Sequence, residues 1–218
     1  MSPSSQSMLC DLLLEVGTIV TLDPAQPVIE DGFVAITGDR ILAIGTALEA
    51  ANYAADRVVS CRGKIVMPGF IDTHHHQFET ALRSQLAHGI LINDGREVNA
   101  TNYYETILQK FSMAYRPEDV YINELFAGIA QLDAGVTTVM DVSQIHHSPE
   151  HSDAAIEGLA DAGRRGVFGY FEGHGDRTKS PQDARRIKEQ YFASDDQLLT
   201  MVMGGEIYLP GYETSWQI

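Results

Sequence analysis

Positive charge is scarce in this sequence. Lys and Arg number 15 against 30 Asp and Glu, a formal net charge of −15. That deficit argues against non-specific binding to nucleic acid or to anionic membranes. Cysteine is scarcer still: Cys10 and Cys61 are the two present, and neither lies in a CxxC pair. They cannot form a multi-bridge framework, and a reducing, cytoplasmic compartment is the expectation. The opening MSPSSQSMLCDLLLEVG lacks a positively charged n-region, and Asp11 interrupts its short apolar run. No stretch approaches the roughly 18 apolar residues of a membrane span. No GxxxxGK[ST] phosphate loop occurs, and GGEIYLPG does not match GxGxxG. Nothing beyond residue types supports a Ser-His-Asp nucleophile.

What is present changes style once along the chain. Residues 1–10 read as a flexible polar N-terminus. Residues 11–64 are strand-like, in short runs rich in Val and Ile. Asp31-Gly32 and Gly38-Asp39 punctuate them as hairpin turns do, which predicts a small antiparallel, sandwich-like β domain. TALEAANYAAD reads as one helical turn or a loop.

From Ile65 the pattern is helix alternating with apolar strand. Ile65 to Ile71 reads as a strand buried on both faces. Gln77 to Leu86 suits a short helix, and Thr101 suits an N-cap for a helix to about Ala114. Pro117 at N1, with Glu118 and Asp119 behind it, opens a third helix that Gly135 stops. Ile122, Leu125, Phe126, Ile129 and Leu132 fall on one face at helical spacing. Ser148-Pro149 and Ser180-Pro181 open two more helices. Strands are expected at about 65–71, 136–141, 167–171 and 198–207. The fold class is therefore α/β: a small β domain followed, over residues 65–218, by about four parallel βα units. A closed (β/α)8 barrel needs eight strands and about 250 residues, so this is a partial TIM-type barrel.

The stretch GKIVMPGFIDTHHHQFETALR carries the chemistry. Side chains alternate along a strand, so His74 and His76 share a face and His75 takes the other. Two imidazoles at i and i+2 on the C-terminal mouth of a barrel strand can chelate one divalent ion, each nitrogen about 2.0–2.1 Å from a zinc.

This stretch resembles the amidohydrolase superfamily, which carries PGxxDxHxH on its first barrel strand. DAGVTTVMD is similar to the second-strand GVTT pattern. HHSPEHSDAAIEGLADAGRRGVFGY resembles the branch of cytosine deaminase and atrazine chlorohydrolase. The resemblance covers about residues 11–210. It implies a metal-dependent hydrolase of carbon–nitrogen (or carbon–chlorine) bonds in small heterocyclic amines or amides. It assigns His74 and His76 as ligands of one divalent metal, zinc first, with iron, cobalt or manganese as alternatives. It places the other ligands after the fifth and sixth strands, and a proton-transferring aspartate after the eighth. Ile218 follows the fourth strand, so the reading is of an N-terminal half, truncated and without its catalytic base.

Strand-end and loop residues supply pocket candidates: Glu79, His146, His174 and Glu206 foremost, then Asp141, Glu172 and His147. Glu172, His174 and Glu206 are also considered as a third ligand. His88 and His151 are expected to be structural or solvent-facing. A half barrel leaves open edges and apolar faces, which predicts self-association or a complementary chain. The rival reading is a non-catalytic interaction module that pairs with a longer relative.

Overall fold

The computed structural model describes residues 7–85, 89–92, 95, 101–171 and 181–204. The chain divides into two compact units, Met1–Pro68 and Gly69–Ile218.

The first unit is one five-stranded sheet. It comprises β1 (Met8–Val20), β2 (Val28–Thr37), β3 (Arg40–Thr46), the single turn α1 (Ala47–Ala50), β4 (Tyr53–Ser60) and β5 (Ile65–Val66). The strand order is β3-β2-β1-β4, with β5 also on β1. β1–β2 and β2–β3 are antiparallel, but β4 and β5 run parallel to β1, so the sheet is mixed and not purely antiparallel. The chain makes this parallel return across α1, whose start is fixed by a Thr46–Glu49 capping box.

Gly38-Asp39 is the two-residue turn the sequence announces, with Thr37 paired to Arg40. Asp31-Gly32 is not a turn. It lies inside β2, opposite a register shift in β1, and Asp31 takes φ 47° there. Gly32 is required at that spot because a Cβ would meet Ile19 Cγ1 at 2.6 Å. Phe33 and Ala35 pack with Cys10, Leu13 and Ala50, whereas Val34 packs with Ile19 and Ile29. Both faces of β2 are thus apolar.

The second unit is a four-stranded parallel sheet in the order β6-β7-β8-β9, with one crossover after each of the first three strands. β6 (Phe70–His75) leads into a 3-10 turn (Gln77–Leu82), then a π-helical segment (Tyr104–Phe111), α2 (Ser112–Ala114) and α3 (Pro117–Asp133). β7 (Val136–Ser143), α4 (Pro149–Asp161), β8 (Arg165–Tyr170), α5 (Pro181–Tyr191) and β9 (Leu199–Met203) complete it. The core lies between one sheet face and the helices. Val139, Phe168, Tyr170 and Leu199 meet Val120, Ile156, Leu159 and Ile187.

Four local expectations change. Ile65–Ile71 is not one strand, since Ile65–Val66 joins the first sheet and Phe70 opens the second. It is not buried on both faces either: Phe70 is 56% and Ile71 67% exposed, because β6 is the end strand of its sheet. The cap before the π-helical segment is Asn102, whose Oδ1 accepts the Glu105 N–H, and not Thr101. The start and stop of α3 are as read, with Pro117 at N1 and Gly135 at φ 84°. Its apolar face is not the buried one. Ile122, Phe126, Ile129 and Leu132 are exposed, while Val120, Asn123, Glu124, Ala127 and Gly128 are buried. α3 packs on α4 through small residues: a Cβ on Gly128 would meet Ala162 Cβ at 2.3 Å, and one on Gly158 would meet Tyr121 O at 2.5 Å.

Candidate metal centre

The β6–β7 ladder explains how three consecutive histidines divide. Asp72 pairs with Val139 and His75 with Asp141, with a register shift between. Val139 and Asp141 both face the helix layer, so Asp72 and His75 share that side and the extra residue resets the alternation. His74 and His76 take the open side. Asp72 steadies the bulge, its Oδ1 accepting the His74 N–H at 3.2 Å and its Oδ2 the Gln131 amide at 2.9 Å. Burial pushes the His75 imidazole below its ordinary pKa, against the attraction of Asp72.

His76 Nδ1 lies 3.0 Å from the Val142 carbonyl. A carbonyl can only accept, so Nδ1 carries a proton and Nε2 is the nitrogen turned toward His74. That Nε2 is 3.3 Å from His74 Nε2. Two nitrogens at about 2.0–2.1 Å from a tetrahedral zinc stand about 3.3–3.4 Å apart. The pair therefore fits one zinc ion through its two Nε2 atoms. Among the described residues no group of three His, Cys, Asp or Glu is placed to hold a metal. The pair supplies two ligands of a site that needs at least a third.

His74, His75 and His76 all line a cavity of about 660 Å³, together with Glu79, Arg83, Tyr103 and Ile107. Glu79 stands one turn past His76 on the 3-10 segment. Its Oε1 accepts the Tyr103 hydroxyl at 2.5 Å, and burial raises its pKa, with the Tyr103 bond opposing. Glu79 thus reaches the cavity as the sequence suggested. Tyr103 and Arg83 were not singled out, because nothing local in the sequence marks them as wall residues.

The other candidates part company. His146 does not face the cavity. It is buried in the helix layer, stacked on Tyr170 at 4.1 Å, with Nε2 on Ser143 O and Nδ1 on Ser152 Oγ. The Ser152 hydroxyl gives its one proton to Asp183 at 2.7 Å, so it gives none to His146 Nδ1. Burial depresses the His146 pKa to about 4, and a neutral core imidazole is the result. His147 and His151 bind the Ser112 and Tyr115 carbonyls at 2.8 and 3.0 Å, tying down the end of α2. Asp141 does not line the mouth; it is fully buried beneath the 3-10 turn. His88, Glu172, His174 and Glu206 lie outside the described residues.

Comparison with known proteins now adds to this geometry. Residues 65–207 match the model of the amidohydrolase family. The chain belongs to the amidohydrolase family. A 5-methylthioadenosine/S-adenosylhomocysteine deaminase of Bacillus cereus is 25% identical over 189 residues, covering 85% of this chain and 41% of the relative. The amidohydrolase fold is also shared with an adenosine deaminase from Xanthomonas campestris with bound zinc: TM-score 0.70, 23% identity, 91% of this chain and 43% of that one. Atrazine chlorohydrolase from Arthrobacter aurescens TC1, complexed with zinc, superposes with TM-score 0.72 at 21% identity, covering 89% and 46%. The chain spans less than half the length of the curated relatives it matches.

Proposed function

We propose that this chain carries the first part of a zinc-dependent amidohydrolase that hydrolyses a carbon–nitrogen bond of a small heterocyclic amine or amide. The observation that carries this reading is the convergence of His74 Nε2 and His76 Nε2 at a zinc-compatible spacing beside a cavity. Family membership and the zinc in the similar structures support the choice of metal. A bound zinc supplies a water activated at neutral pH and polarises the substrate. Within the chain, Val142 O accepts from His76 Nδ1–H and so turns Nε2 toward His74. Glu79, with one oxygen taken by Tyr103, keeps its other oxygen to accept an N–H from a heterocyclic amine. Adenine nucleosides and guanine are the first substrates to try, since similar proteins are named as deaminases of these compounds. Chlorinated triazines come next.

The remaining ligands and the proton-transferring aspartate are assigned by the family resemblance to positions after the fifth, sixth and eighth strands. The two buried free cysteines agree with a reducing cytoplasm. No described helix is long and apolar enough to cross a membrane.

The rival reading, an interaction module that associates with itself or with a longer relative, is favoured by one observation. Ile122, Phe126 and Ile129 form an exposed apolar stripe on α3. Ammonia release from adenosine and guanine by the purified, zinc-loaded chain separates the two. Turnover that disappears in His74→Ala supports the hydrolase. Zinc uptake without turnover until a longer relative is added supports the module.

A further inference from the structure

Beneath the 3-10 turn lies a group of polar side chains that the metal reading does not use. Gln77, Glu124 and Asp141 are 0% exposed and Arg164 is 3% exposed. They come from four places: the turn after β6, α3, β7 and the residue just before β8. Arg164 Nη2 donates to Gln77 Oε1 at 2.5 Å, and the Gln77 backbone N–H points at Asp141 Oδ1, 3.4 Å away. Both Glu124 oxygens, Asp141 Oδ2 and Arg164 Nε and Nη1 find no hydrogen-bond partner among the described residues. Burying charges this way costs several kcal/mol per ion, and well-packed apolar residues of the same volume are often as stable or more so. Stability alone gives no reason for this cluster.

Its position does. The β6–β7 ladder shifts register after Asp72, and His75↔Asp141 is its last pair. Beyond that point side chains take over from backbone. His76 Nδ1–H reaches Val142 O, and Gln77 N–H reaches toward Asp141, so two neighbours on β6's extension grip two neighbours on β7. Arg164 clamps the Gln77 side chain from below. The Tyr115 hydroxyl on Phe78 O and Asn123 Oδ1 under the Ala81 N–H, each at 2.8 Å, hold the following residues.

We infer that Asp141 and Arg164 are positioning residues for His76, a buried bracket that keeps its ring against Val142 O and its Nε2 turned toward His74. The inference rests on the reading of His74 and His76 as a metal pair. The bracket touches no substrate. It acts through Gln77 on the bond from His76 to Val142 O, and loss of the hydrogen bond on a metal-binding histidine's other nitrogen lowers metal affinity by about 10–100-fold.

The test uses the full chain. The His76 tautomer is read in the metal-free protein by long-range ¹H–¹⁵N correlation, zinc affinity by chelator competition, and the thermal midpoint alongside. Wild type is expected to show one tautomer, Nδ1–H. Arg164→Met and Asp141→Leu are expected to give a tautomer mixture and at least tenfold weaker zinc binding, with any change in midpoint uncorrelated with either. Asp141→Asn keeps an oxygen for the Gln77 N–H and is expected to restore most of both. Gln77→Met cuts the Arg164 link without removing a charge, and reads the same effect where a charge variant does not fold. An unchanged tautomer and affinity in Arg164→Met and Gln77→Met overturns the inference, as does a loss that merely tracks the midpoint. If wild type takes up no zinc but the tautomer responds, the metal reading fails and the bracket stands. If zinc binds and the tautomer does not respond, the bracket fails and the metal reading stands.

Discussion

Two histidines a short way apart in chemistry show how environment assigns role. His76 turns one nitrogen to a carbonyl and the other to a cavity. His146 has Nε2 on a carbonyl, Nδ1 beside the Ser152 oxygen and a tyrosine ring against its face. The folded protein keeps His146 neutral down to about pH 4, against an ordinary value of 6.5. In the unfolded chain it takes its proton first, so the unfolded state gains protons over this window. The His146 contribution to stability is therefore complete above about pH 6.5 and shrinks as pH falls toward 4, by about 3 kcal/mol in all. Buried Asp141 and Glu124 act with opposite sign, because burial raises their pKa values. The His146 share is isolated as a difference: urea midpoints of wild type and His146→Asn should converge between pH 7 and pH 4.5. At Glu79, Tyr103→Phe removes the hydroxyl donor from a half-buried carboxyl. It should cost about 1 kcal/mol in denaturant unfolding and move the Glu79 titration, followed by carbon NMR, to higher pH.

Elements were legible where periodicity and punctuation agree. Pro117, Ser148-Pro149 and Gly135 mark helix ends that the structure reproduces. Periodicity alone does not say which side of an amphipathic helix meets the protein. On α3 the apolar stripe lies outward, because the buried side needs small residues against α4 and holds Glu124 near Arg164. Gly128→Ala should therefore push the two helices apart and cost about 1–3 kcal/mol, seen as a lower melting temperature. A result within experimental error of wild type would mean the helices shift freely. The strand Ile65–Ile71 was misread for a related reason. Its composition is continuous, and only the pairing of Ile65–Val66 with β1 reveals that it serves two sheets. The histidine pair was legible because a strand, a Pro-Gly and an i, i+2 spacing coincide. Tyr103 and Arg164 were not, since they meet their partners across 24 and 87 residues of chain.

At the scale of the molecule, the described residues of the second unit form an open four-stranded parallel sheet. β6 and β9 are its end strands, and Phe70 and Ile71 are exposed on β6. Apolar surface of this kind favours association. Sedimentation should show the wild-type chain heavier than a monomer, and Ile122→Lys with Ile129→Lys should shift it toward monomer if the α3 stripe carries the contact. Unchanged sedimentation would place the contact elsewhere. The central claim, that His74 and His76 jointly hold one metal ion, is tested most directly by zinc-edge X-ray absorption on the zinc-loaded chain. The account predicts two imidazole nitrogens at about 2.0–2.1 Å, one in His74→Ala and one in His76→Ala, with His75→Gln like wild type. A zinc signal without imidazole, or one that neither alanine variant alters, would contradict it.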